Sequence, residues 1–321
     1  MAVEGCFLVI WAPKALSLFT AITSLAMAVP TTIGNGLIVI AVVCDPLKRL
    51  QNPFNYFLVN LAVSDLLVGL IALPISFWCH LGESEGAFPD NSIPALHLSV
   101  FMSSTASLLS LVALSVDRYI MITNAVKYRR YMNWKHCLKV SLFIWFLSFT
   151  VPLVYFKTGY IGYLMVHEHT MVLAAAIILA LNYYYIYKFL RQRTLSTQDD
   201  NTGRRTSVHT KNLLVEQKVT CTLLVMLVAF LATAMPAVIM TYVLHFCKSC
   251  NCTLRQWLRD LNFLLFPTCS AINPFICIIR LKPFRKAIKK MGSQICAPGK
   301  ARSDTATSAS SLNNIQVSLS K

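Results

Sequence analysis

The sequence predicts an all-α membrane protein, a bundle of seven transmembrane helices followed by a short amphipathic helix. Three observations predict it. The chain is 56% hydrophobic and only 13% charged over 321 residues, whereas soluble domains average about 25% charged. Seven apolar stretches reach the roughly 20 residues that a bilayer core demands. Lysine and arginine gather on alternate connections between those stretches, as expected of a chain threaded back and forth through a membrane.

The spans lie near 15–44, 53–81, 91–124, 137–156, 163–192, 212–245 and 255–279. Most connections are short, so residues 15–279 read as one bundle without internal repeats or a separate soluble domain. The first connection carries Lys48 and Arg49, and the third Lys127, Arg129, Arg130 and Lys135. The fifth carries Arg191, Arg193, Arg204, Arg205 and Lys211, and Arg280, Lys282, Arg285, Lys286, Lys289 and Lys290 follow the last span. The opposite side has only Lys14, Lys157, Lys248, Arg255 and Arg259. Positive charge stays in the cytoplasm. That rule places a short N-terminal segment, 1–14, outside the plasma membrane and a disordered tail, 293–321, inside it. The amphipathic helix, 280–292, then lies on the inner leaflet. The net charge of +16 is therefore read as topology and as attraction to anionic membrane lipid, with no nucleic-acid partner implied. Phe7–Trp11 is too short and lacks the basic flank of a signal peptide, so the first span is expected to act as an uncleaved anchor.

Eleven cysteines would suggest a disulfide framework, yet most fall inside the membrane or the cytosol. Cys6, Cys79, Cys247, Cys250 and Cys252 are the outside candidates. The crowding of Cys247, Cys250 and Cys252 in the last outer connection predicts at least one disulfide there, with Cys6 as a further candidate. Connectivity stays open.

Several polar residues sit where lipid would exclude them. Asp65 is mid-span in Leu61-Ala-Val-Ser-Asp65-Leu-Leu, and a carboxylate at that depth costs about 2.5–3.5 kcal/mol on insertion scales. Asn35, Ser107, Ser270 and Asn273 fall at comparable depth. Their oxygens with the acid suit a sodium ion, since hard cations take oxygen ligands. The alternative is a protonated Asp65 in a water network. Pro236 and Pro274 each remove a backbone hydrogen bond and kink their helices. At the cytoplasmic end, Asp117-Arg118-Tyr119 closes the third span and Glu216 opens the sixth. An Arg118–Glu216 clasp has the right bidentate chemistry, with Asp117 competing for the same guanidinium.

Together these residues resemble the rhodopsin-like (class A) G-protein-coupled receptors. The resemblance covers roughly residues 30 to 290 and rests on Gly34-Asn35, Leu61-Ala-Val-Ser-Asp65, Asp117-Arg118-Tyr119, Trp145, Pro236, Asn273-Pro274 and Lys282-Pro-Phe284. The stretch Lys127-Tyr-Arg-Arg-Tyr-Met132 resembles the second inner loop of the amine, adenosine and melanocortin branches. A second outer loop, near 157–165, without cysteine resembles the melanocortin and lysolipid receptors. The feel of the chain is therefore nearest to an adenosine, melanocortin or lysolipid branch. The departures concern the switch path. Ala234 replaces the aromatic of the family's Cys-Trp-x-Pro, and Cys277 replaces the tyrosine of Asn-Pro-x-x-Tyr. Ala175 stands near the usual helix-five proline, and Ile93 where a disulfide cysteine is usual.

What the resemblance implies is a receptor, not an enzyme. An extracellular ligand would move the sixth helix outward and activate a heterotrimeric G protein through Asp117, Arg118, Tyr119, Tyr128, Tyr183, Glu216, Pro236, Asn273 and Pro274. An allosteric sodium ion is the only cofactor-like ligand expected. Arrestin and receptor kinases would act on Thr206, Ser207 and the Ser/Thr-rich tail, and Cys296 would carry palmitate. No lysine occupies helix seven, where Pro267 stands near an opsin's retinal lysine, so the chain is not a photopigment. Val100 stands where amine receptors place an aspartate, and Ile75, Ile93 and His97 replace the calcium-binding acids of melanocortin receptors. The expected pocket uses His97, Phe101, Ser104, His167, Val238, Thr241 and Phe263, with Asp260 and Glu168 nearby. That lining suits a lipid, a small amphiphile or a short peptide. His167-Glu168-His169 reads either as a pH or metal sensor or as an interfacial polar step. Two alternatives are a constitutive or decoy seven-helix receptor without ligand-driven signalling, and a polytopic transporter, against which the lack of repeats argues.

Overall fold

The computed structural model describes residues 12–87, 92–198, 206–247 and 249–296. Cys6, the Arg204-Arg205 pair and the Ser/Thr tail lie outside them, as do the side chains of Arg129, Glu168, Glu216 and Cys296. Helices make up the described fold, and no strand occurs among the described residues.

The first three spans are Lys14–Cys44, Pro53–Ser84 and Ile93–Thr123, the second passing through a π-helical turn at Val68–Ala72. A short helix, Ala125–Tyr131, follows. The fourth span begins at Trp134, the sixth helix is Thr206–Phe246 and the seventh is Cys252–Arg280. Asparagine starts many of these helices. Asn52, Asn124, Asn133 and Asn251 each accept a backbone N–H three residues on, at 2.8–3.1 Å, satisfying a donor that the helix itself cannot.

Among the described residues six helical stretches are long and apolar enough to cross a membrane, and the fourth, Trp134–His167, runs past the end of the fourth pass into the start of the fifth. Gly159 breaks it, with φ 70° and ψ 179°, a left-handed region that side chains other than hydrogen rarely adopt. Beyond it the chain continues helically through His167, a π turn at Glu168–Val172 and Leu173–Gln198. The expected loop near 157–165 is therefore a turn at a single glycine with helix on both sides. The fifth pass shows up only as a shorter apolar stretch, Leu173–Lys188, because tyrosines at 183, 184, 185 and 187 dilute its hydropathy.

The third span is central and packs against the second, fourth, fifth and sixth, while the first closes the ring against the second and seventh. Polarity is inverted relative to a soluble bundle. In the first span Ser17, Thr20, Ser24, Thr31 and Asn35 are buried, whereas Leu18, Ile22, Leu25, Val29, Ile33 and Ile40 face outward. Lipid solvates the apolar row, and the hydroxyls find partners inside, where an unpaired one would be costly. A large core of Phe54, Phe57, Leu61, Leu108, Leu111, Leu114, Met226, Phe230 and Ile276 fills the half nearer Arg118. The final helix, Lys282–Cys296, extends four residues beyond the expected end. It buries Phe284 and Ala287, and Lys290 Nζ donates to the Pro46 carbonyl at 2.9 Å.

Gly34 lets the first span approach the seventh. A Cβ there would lie 2.6 Å from Pro274 Cγ and 2.8 Å from its Cβ, closer than real contacts allow, in a setting where small residues normally mediate helix packing. Gly34→Ala should therefore cost about 1–3 kcal/mol. A thermal-unfolding comparison in detergent should show a clear drop in midpoint, and an unchanged midpoint would mean the two helices are not held together at this point.

Candidate functional site: an intramembrane polar network and an arginine lock

Asp65 is fully buried at the meeting point of four helices. Its Oδ1 accepts from Ser107 Oγ at 2.9 Å and Ser270 Oγ at 2.7 Å, and its Oδ2 from Asn273 Nδ2 at 2.9 Å. Ser64 Oγ lies 2.8 Å from Ser107 Oγ. Asn35 joins this group indirectly. Its Nδ2 donates to the Thr31 carbonyl at 2.9 Å and to the Ser270 carbonyl at 3.2 Å. Ser270 is four residues before Pro274, so its carbonyl is the acceptor that the proline leaves without an amide. Asn35 thus heals the kink from a neighbouring helix. Four of the five residues expected to surround sodium touch the carboxylate network directly, Asp65 included, and the fifth supports its backbone. Donors from the third and seventh spans thus converge on one buried acid of the second.

A second polar tie was missed in the sequence. Trp145 Nε1 donates to Asn60 Oδ1 at 3.0 Å, and Asn60 Nδ2 to Ser110 Oγ at 2.7 Å, joining the second, third and fourth spans. A third tie joins the sixth and seventh. Asn262 Nδ2 donates to the Ala237 carbonyl at 2.8 Å and Thr241 Oγ1 at 2.9 Å. Asn60 and Asn262 were legible as amides at membrane depth, the same signal that marked Asn35.

A narrow cavity extends from Asp65, Ser107 and Ser270 past Thr233, Ala234 and Ala237 to Val100, Ser104 and Phe266. Ala234 contributes to its wall where a bulkier side chain would fill it. Ser104 is shared between this cavity and an aromatic cluster. His167 Nε2 lies 3.4 Å from both Ser104 Oγ and Thr105 Oγ1. Its ring packs near Phe101, Tyr163 and Phe266, while His167 Nδ1 and Tyr163 Oη have no hydrogen-bond partner among the described residues. His97 stacks on Tyr160 at 4.2 Å and meets Tyr155 Oη at 3.1 Å. Of the expected pocket residues, Ser104 lines the cavity and Phe101 and His167 back it. Val238 belongs to the large core, Phe263 packs with Leu96 and Val100, and Thr241 serves Asn262.

At the far end Arg118 is held by its own neighbour. Its Nε and Nη2 donate to Asp117 Oδ2 at 2.9 and 2.5 Å, and its guanidinium lies 4.6 Å from the Phe54 ring centre. Tyr128, from the short helix, donates to Asp117 Oδ1 at 3.0 Å and receives Arg118 Nη2 at 3.3 Å. Burial, and then the Asp117 carboxylate, push the Tyr128 phenol above its ordinary range, so it stays a donor. Asp117 therefore holds the guanidinium; the Glu216 side chain lies outside the described residues. Tyr119 packs with Ile122 and Ile186. Tyr183 stacks near Tyr187 and lines a smaller cleft with Ser115, Leu223 and Leu227.

In the last connection Cys247 and Cys250 form a disulfide, and Cys252 is disulfide-bonded as well. Arg255 caps this turn, donating to the carbonyls of Cys247 and, at 3.3 Å, Cys250.

The first half of the chain, residues 34–160, matches the rhodopsin family of seven-transmembrane receptors, and residues 163–293 match the Srv family of serpentine chemoreceptors. Over the first of these stretches the match agrees with the resemblance to rhodopsin-like (class A) G-protein-coupled receptors. It is 36% identical over 136 residues to 5-hydroxytryptamine receptor 2B of Dichotomyctere fluviatilis, covering 42% of this chain and 28% of that receptor. It is 31% identical over 139 residues to the human 5-hydroxytryptamine receptor 2C, covering 43% of this chain and 30% of that one. A mouse 5-hydroxytryptamine receptor 2B is 40% identical over 109 residues, covering 34% of this chain and 22% of that receptor. The chain thus spans less than a third of the length of these relatives, and they lend no support to the adenosine, melanocortin or lysolipid branch.

Proposed function

We propose that this protein is a plasma-membrane receptor with its N-terminus outside, which binds an extracellular ligand in the cavity above Asp65 and activates a heterotrimeric G protein. The orientation rests on the excess of lysine and arginine at the Arg118 end. Ligand and G protein each favour a state in which the sixth helix swings outward at that end, and each shifts the population only by its preference for that state. Sodium at Asp65 favours the closed state. Once Arg118 leaves Asp117 it becomes available to the G protein, with Tyr128 and the basic connections around it. Arrestin and receptor kinases would read Thr206, Ser207 and the tail, and palmitate at Cys296 would fasten the last helix to lipid.

The observation that carries the ligand class is the wall of the cavity. The relatives named above are receptors for 5-hydroxytryptamine, an amine. Here Val100 lines the cavity, and among its described lining residues Asp65, at the deep end, is the only acid. An ammonium would enter without a counter-ion at the outer level, which in a low-dielectric site is strongly unfavourable. Apolar walls with a few convergent hydroxyls suit an uncharged lipid, a small amphiphile or a short apolar peptide. The test is a stability screen of the purified protein against lipids and amines. A lipid or amphiphile should raise the unfolding midpoint of the parent but not of Ser104→Trp, which fills the cavity. Stabilisation by 5-hydroxytryptamine at lower concentration than any lipid would overturn the ligand class.

A further inference from the structure

A cluster of charged side chains lies at the end of the bundle remote from Arg118, apart from the network, the cavity and the lock. His80 and Glu83 stand one turn apart on the second span and share a face, and Arg259 and Asp260 stand near the start of the seventh. His80 and Asp260 are 8% and 1% exposed. Arg259 bridges the two carboxylates, with Nε 2.7 Å from Asp260 Oδ1 and Nη2 3.2 Å from Glu83 Oε1. The same Nη2 is 3.3 Å from Glu83 Oε2. Glu83 Oε2 and Asp260 Oδ2 also face His80, whose Nδ1 lies 3.1 Å from the first and 3.9 Å from the second. Ser17 Oγ and Thr20 Oγ1, on the first span, donate to those same two oxygens at 3.0 and 3.1 Å.

Two carboxylates against one guanidinium leave an excess of one negative charge facing the His80 imidazole. One donor atom from each of His80, Glu83 and Asp260 lies within 4.8 Å of the others. Zinc binds such nitrogen and carboxylate oxygen donors at about 2.0–2.2 Å, which puts tetrahedral ligands about 3.4 Å apart. Closing the triangle therefore needs side-chain shifts of about an ångström, with no backbone change. We propose that His80, Glu83 and Asp260 form a binding site for a divalent ion of the zinc class. The fourth position faces water or the Ser17 and Thr20 hydroxyls, and Arg259 orients both carboxylates from outside the coordination sphere, as outer partners of metal ligands do. The ion fastens the second span to the seventh. On the orientation proposed above the site faces the outside, but binding itself does not depend on that orientation or on signalling.

The experiment is a calorimetric titration of zinc chloride into the full chain, purified without a polyhistidine tag, reconstituted in nanodiscs and freed of metal by a chelator. One zinc per chain should bind, and His80→Ala and Asp260→Asn should each weaken it at least about tenfold, the scale reached by removing even outer-shell partners of a metal. Zinc should raise the unfolding midpoint of the parent and not of either variant. Cobalt in its place should give a visible ligand-field absorption that His80→Ala loses, a readout that folding alone does not produce. Lowering the pH should weaken binding, because His80 must be deprotonated to coordinate. Absence of binding overturns the proposal and leaves an ion-pair cluster only. Binding that is equal in parent and His80→Ala overturns it too, since the ion would then sit elsewhere, on thiols such as Cys44 or Cys221. Either failure leaves the receptor reading untouched.

Discussion

Arg118→Ala should silence G-protein activation while leaving the amount of protein at the cell surface near that of the parent. The guanidinium makes two hydrogen bonds to Asp117, one to Tyr128, and packs over Phe54. In the open state those donors would turn to the G protein, and alanine supplies none. A fall of at least about tenfold in coupling corresponds to only 1.4 kcal/mol, less than one charge-assisted hydrogen bond contributes in a buried setting. The measurement uses biosensors for each G-protein class in cells, normalised to surface expression. The variant also leaves Asp117 buried with Tyr128 as its remaining side-chain partner, and an unpaired buried carboxylate destabilises folding by itself. Asp117→Asn separates the two effects. It keeps Arg118 but weakens its restraint, so ligand-free signalling should rise. Full coupling by Arg118→Ala at equal expression would remove the centre of the mechanism.

Asp65→Asn should abolish any stabilisation by sodium and free the bundle from it. The amide nearly matches the carboxylate in shape, and Ser107 and Ser270 can still donate to its oxygen. Its nitrogen, however, would face Asn273 Nδ2, which now donates at 2.9 Å, so one of the two amides must turn over. The charge that attracts the cation is gone altogether. At 100 times the dissociation constant an ion contributes about 2.7 kcal/mol, and for a chain somewhat larger than 250 residues each kcal/mol moves the midpoint by roughly 2 °C. The parent should therefore unfold several degrees higher in sodium than in a bulky organic cation, and the variant should not distinguish them. A parent indifferent to sodium would leave Asp65 as a structural acid with no ion.

Much of this was legible because membranes invert the usual signals. Apolar runs located the helices, and the sparse polar residues inside them, Asn35, Asp65, Ser107, Ser270 and Asn273, located their inner faces. The start of the fifth pass was not legible. A loop normally announces itself by a run of polar residues, and here only Lys157 and Thr158 precede the turn at Gly159. Lipid-facing and core positions were equally hard to separate by hydropathy. Val238 and Phe263, expected in the pocket, lie in packed clusters, and an apolar side chain against lipid and one against protein look alike in sequence. The cluster of His80, Glu83 and Arg259 escaped for a different reason. Its members are far apart in the chain, and charged residues near a helix end read as ordinary interface anchors.

The Gly159 turn also bears on how long a ligand stays. The connection between the fourth and fifth passes has no length of chain to drape over the cavity mouth. On the proposed ligand reading, that segment adds no closing step and so slows neither entry nor departure. For such a ligand, residence is then set by the walls and hydroxyls it touches, and substitutions in the Gly159 turn should leave its dissociation rate unchanged.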